Sequence, residues 1–228
     1  MAEKPRVKAP KQRGTAGSGG RNTRTWAIVA GVVGLAIALG VVAAALGVVG
    51  GGGGGGTTDV AGLRTALQNA GCTLEVRPTY AAYPANSHSV TDPNGTSPLW
   101  NTDPPTSGPH YQIPAVFGIY EEPIQLARLV HNLEHGGAYI LYGKDVPAST
   151  VDQLTSFYNS HKTGTIMAPL PRLGDKIALG AWVEEGGKNK GYLAKCTGFN
   201  ENAYATFFRT LQFRGPERFD PSQLQPGM

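Results

Sequence analysis

The sequence predicts an α+β domain carried behind a single N-terminal membrane-spanning helix, and three observations carry that prediction. The 24 residues from Trp26 to Val49 contain no charge and are nearly all Ala, Val, Ile, Leu or Gly. As a helix they measure roughly 36 Å at ~1.5 Å per residue, and about 20 apolar residues are enough to cross a hydrocarbon core. Eighteen of the 19 aromatic residues follow position 56, enough for one core. In that later part, helical stripes and strand-like runs are mixed without a regular strand–helix–strand repeat or any internal repeat.

Residues 1–25 form a basic tail rich in Gly, Ser and Thr with no apolar periodicity, which predicts disorder. Up to Arg24 it carries seven Lys/Arg against Glu3, a balance of +6, whereas the rest of the chain balances at −2. Basicity confined to a tail argues against a nucleic-acid partner, and glycines without a three-residue period exclude collagen. Positive charge before the 26–49 span places the N-terminus in the cytoplasm and everything after it outside. The expected localisation is therefore the cell membrane, with residues 26–49 as the membrane partner. A cleaved signal ending near Ala43-Ala44-Ala45 is the alternative, but signal peptides have apolar regions of about 7–15 residues. Both readings export the same domain. Residues 50–56 are seven consecutive glycines, a flexible tether, so the domain is expected over 57–228.

Taken in order, 57–68 reads as a short helix stopped near Gly71, and Leu74 to Val76 as a strand. Cys72 and Cys196, the only cysteines, both lie in the exported part and suggest one disulfide. Closing a loop of over a hundred residues, it would stabilise the fold by up to roughly 4–5 kcal/mol. A redox or metal-ligand pair is the other reading, and CxxC spacing is missing. Residues 77–114 are proline-rich and aperiodic, and a loop of that length in a compact domain is often functional. Pro123 suits a first helical position, opening a helix to about His135 that Gly136-Gly137 stops. Ala138 to Tyr142 reads as a buried strand. Ser149-Thr150 would cap a helix carrying Val151, Leu154, Phe157 and Tyr158 on one stripe. Strands are expected at 165–170, 176–184 and 191–195, then a last helix from Asn200 or Glu201 with Tyr204, Phe207, Phe208 and Leu211 on one face.

Chemistry concentrates in histidines. His88 and His110 sit in the proline-rich stretch, and His131 and His135 are four apart, one turn apart on one helix face. On a helical wheel Leu126, Leu129, Val130 and Leu133 share one side, and the two histidines lie roughly opposite, with Arg128. They are thus not core residues of that stripe; the bland alternative is a pair facing solvent. Met167, the only internal methionine, lies in an expected strand. Imidazole suits zinc, copper, iron or nickel, and an added thioether favours copper. The leading expectation is a metal-binding domain, copper before zinc, with His110, His131 and His135 as ligands and Met167 and His88 completing the set. Tyr111 or Asn132 would support a ligand from behind. No catalytic residue is assigned on this reading. The hydrolytic alternative takes His131-x-x-Glu134-His135 as an inverted zincin pattern with Glu134 as general base on a zinc-bound water. A third reading is an envelope interaction module in which the histidines only hydrogen-bond a loop. Phosphate-binding and dinucleotide fingerprints are missing.

The segments Pro104-Pro105-Thr106-Ser107-Gly108-Pro109-His110, Gly118-Ile119-Tyr120-Glu121-Glu122-Pro123 and Leu129-Val130-His131-Asn132-Leu133-Glu134-His135-Gly136-Gly137 resemble the bacterial family of domain of unknown function 3105. Lys176 to Trp182 fits as well, and the likeness covers about residues 70–215. It implies a basic N-terminus, one membrane span and this domain outside. It also implies that the motifs of His110, His131 and His135 are the family's recognisable core, with Met167 and His88 at metal-friendly places. It implies no reaction.

Overall fold

A computed structural model describes residues 58–79 and 100–228. The basic tail, the expected span at 26–49, the glycine tether and His88 lie outside the described residues. Among those described, no helix is long and apolar enough to cross a membrane.

Ten α-helices and β-strands follow in chain order among the described residues. Helix α1 (Val60–Asn69) starts where the Asp59 side chain accepts from the Gly62 N–H, and it buries Leu63 and Leu67. Strand β1 (Cys72–Pro78) is followed, beyond the aperiodic stretch, by the two-residue β2 (Gly118–Ile119). Then come α2 (Leu126–Glu134), β3 (Ala138–Tyr142), α3 (Ala148–Ser160) and β4 (Thr165–Pro169). A hairpin of β5 (Ile177–Glu185) and β6 (Lys188–Cys196) precedes α4 (Glu201–Leu211), which Asn200 caps as expected through the Ala203 N–H.

Strand β1 is wider than the expected Leu74 to Val76, and β2 is not among the expected strands; three further boundaries differ for a local reason. Helix α2 begins at Leu126, not Pro123, because Gln125 is still extended at ψ 117°. Helix α3 starts before Ser149-Thr150, since the Pro147 carbonyl accepts the first helical N–H groups, those of Thr150 and Val151. Strand β6 begins three residues early because Gly186 and Gly187, at φ 56° and 78°, make a two-residue turn closed by the Glu185–Lys188 pair. Positive φ at both central positions is what a tight hairpin turn requires.

The six strands form one mixed sheet in the order β1-β6-β5-β3-β4-β2, with β3–β4 and β2–β4 parallel and the other pairs antiparallel. Cys72 and Cys196 face each other across β1–β6 and are joined by a disulfide. Side chains alternate across the pleat and divide the interior into two cores. Ile140, Met167, Leu179, Ala181 and Tyr192 point to the face covered by α1, α3 and α4. Tyr139, Leu141, Ile166, Ala168, Trp182 and Leu193 point to the other, where the Leu126, Leu129, Val130 and Leu133 stripe of α2 packs. One helix cannot cover that second face. Aperiodic chain completes it: Thr106, 0% exposed, presses on Gly191 so closely that a Cβ there would lie 2.1 Å from its Oγ1.

Candidate metal centre

The outward side of α2 is roofed. Asn132 holds the aperiodic segment down by two bonds, accepting from the Ala115 N–H at 2.9 Å and donating to the Ala115 carbonyl at 2.8 Å. The Tyr111 N–H donates to the Ala127 carbonyl at 3.1 Å, and Arg128 donates to the Ile113 carbonyl at 3.2 Å. The C-terminal segment closes the other side. The N–H groups of Phe213 and Glu217 donate to the Gly136 and Glu134 carbonyls at 2.7 and 3.0 Å. The Glu134 carbonyl is one of those that a helix end leaves without an intrahelical partner. Gly215 permits the approach, since a Cβ there would stand 2.1 Å from the Glu134 carbonyl oxygen.

Under this roof His110 is 0%, His131 6% and Glu134 2% exposed. The Nδ1 atoms of both histidines face backbone carbonyls, Gly108 O at 2.8 Å and Tyr111 O at 2.6 Å. A carbonyl only accepts, so each Nδ1 carries the hydrogen and each Nε2 is turned inward. His110 Nε2 then lies 2.9 Å from Glu134 Oε2, and His131 Nε2 lies 3.0 Å from His135 Nε2. Neither approach holds with bare lone pairs alone; a proton or a cation has to stand at each. Ligand atoms of His110, His131 and Glu134 all fall within 4.8 Å of one another. Two nitrogens on one tetrahedral zinc-sized ion stand roughly 3.3 Å apart for bonds of about 2.0–2.1 Å. Histidine ligands characteristically donate their other N–H to a carbonyl or carboxylate, as both do here. The His131 and His135 rings also sit at the C-terminal end of α2, where the helix dipole favours positive charge.

The structure thus brings together His110, His131 and His135. It does not bring Met167: that side chain lies in the core of the opposite sheet face, between Ile166 and Ala168, which point toward α2. His161, left out of the expected site, stacks on Phe157 with ring centroids 4.0 Å apart, its Nδ1 3.0 Å from the Phe157 carbonyl. Of the two expected supports, Asn132 pins the roof, and Tyr111 acts through its backbone carbonyl. Sequence reasoning had Glu134 only as a base and missed Glu217, whose Oε2 is 3.7 Å from His135 Nε2. Spacing gave no signal for a partner over 80 positions away.

Residues 94–223 match the family model described as Protein of unknown function (DUF3105), which is more than half the chain. No curated protein and no solved structure matches.

Proposed function

The chain belongs to the DUF3105 family, and on that premise we propose that its domain is a binding protein for a divalent transition-metal ion. His110, His131 and Glu134 are the ligands, His135 lies beside them, and residues 26–49 hold the domain outside the cytoplasmic membrane. One observation carries the reading: two buried imidazoles, each with Nδ1 pinned to a carbonyl, turn Nε2 toward a buried carboxylate or a neighbouring imidazole at 2.9–3.0 Å. A buried charge is costly unless it is paired or coordinates a metal.

The donor set bears on which metal. With Met167 on the other sheet face, the thioether reason for copper falls away. Two imidazoles and a carboxylate suit zinc or copper(II). Burial of Glu134 supports a ligand role over that of a general base, so the hydrolytic reading has less behind it. The test is elemental analysis of the full-length chain after loading with zinc or copper(II) and gel filtration. About one tightly held ion per chain is expected, and His131→Ala or His110→Ala should lower affinity at least about a hundredfold. Equal, near-zero metal in wild type and variants would leave the histidines as a hydrogen-bonding network and overturn the proposal.

A further inference from the structure

The ligand groups do not stop at the buried centre. Glu134 belongs to two sets of three: with His110 and His131, all buried, and with His135 and Glu217, which lead out to the surface. In the second set, too, all three ligand atoms fall within 4.8 Å of one another. Exposure rises along it, from 2% at the Glu134 side chain to 14% at His135 and 52% at Glu217. The two sets touch, because His135 Nε2 is 3.0 Å from His131 Nε2 and 3.7 Å from Glu217 Oε2.

Glu217 is held there by the backbone. Its own N–H donates to the Glu134 carbonyl at 3.0 Å, and the Phe219 N–H reaches the His135 carbonyl at 3.4 Å. The Phe219 ring lies on the His135 imidazole, centroids 4.0 Å apart, which fixes the ring plane. A carboxylate and an imidazole set in place by main-chain bonds form a built arrangement. It also lies on the half-exposed side of a centre whose own ligands are almost wholly buried, so an ion travelling inward meets these groups first.

We propose that Glu134, His135 and Glu217 form a second, outer site for a divalent cation, and that the inner centre is loaded through it. This rests on the metal reading of the inner centre. The outer ion is the weaker one, because Glu217 and in part His135 stay in water, which competes there for the ion. Glu134, common to both sets, hands the ion inward by exchanging one carboxylate contact at a time.

Zinc titration of the full-length chain against a chromogenic zinc chelator, at equilibrium and by stopped flow, tests this. Wild type should bind two ions, one tightly and one weakly. Glu217→Gln keeps the main-chain bonds of the segment, so it should retain the tight ion, weaken the outer one about tenfold or more, and slow loading by a similar factor. Glu201→Gln, an exposed carboxylate elsewhere, should change neither. One tight ion in wild type, with loading rate and affinity untouched by Glu217→Gln, would overturn the outer site alone. No ion in wild type would overturn the inner centre as well.

Discussion

His110 and His131 reach the same end by the same local device: a carbonyl two residues before His110, or on the overlying segment for His131, takes the Nδ1 hydrogen and leaves Nε2 to face inward. Tautomer and ring orientation are thus set by main chain that is itself tied down, much of it by Asn132. That residue makes two buried bonds to the backbone of one residue, so Asn132→Ala leaves the Ala115 N–H and carbonyl buried without those partners. Orphaned buried groups cost about 1–3 kcal/mol each. Urea unfolding of Asn132→Ala should therefore show about 2–4 kcal/mol of lost stability, and a change within ~0.5 kcal/mol would contradict the clamp. Helical periodicity showed which side of α2 the histidines occupy. It could not show that this side is buried, because the cover comes from residues 104–115 and 213–219, which have no period to read. Met167 marks a related gap. Period-two alternation puts it opposite Ile166 and Ala168, but which face adjoins α2 becomes visible only with the sheet assembled.

Among the elements, the hydrophobic stripes of α2, α3 and α4 and the run Ala138–Tyr142 were legible in the chain because burial imposes a period on them. The hairpin was only half legible: its Gly-Gly turn signal stands in the sequence, while its first residues, Lys188 to Lys190, have the polarity of a loop. Pairing with Glu184, Glu185 and Val183 makes them a strand. Strand β1 depends most on a covalent link. Among the described residues it lies at the sheet edge and pairs only with β6, and the Cys72–Cys196 bond joins the two over a separation of 124 residues. Replacing both cysteines with serine should lower stability by about 4–5 kcal/mol on the chain-entropy account. Denaturant melts of the double variant and of wild type check this, and a loss under ~1 kcal/mol would mean that the paired strands hold without it.

At the scale of the whole molecule, a six-stranded sheet separates two kinds of cover. Three helices bury the face bearing Ile140 and Met167, whereas α2 and two aperiodic segments bury the face bearing Trp182. The asymmetry is what makes a centre feasible: irregular chain offers carbonyls such as those of Gly108 and Tyr111 that regular helices have already spent on their own ladders. The division of charge between a +6 tail and a −2 remainder suits a chain whose acidic part faces cations outside a membrane, as the proposed function requires. The central claim is that an ion is held by imidazole nitrogen and carboxylate oxygen from α2 and its roof. X-ray absorption spectroscopy of the zinc-loaded full-length chain measures this most directly. At least two histidine nitrogens are expected at about 2.0–2.1 Å, with oxygen completing the shell. A sulfur shell at about 2.3 Å, or a shell of oxygen alone without imidazole scattering, would contradict it.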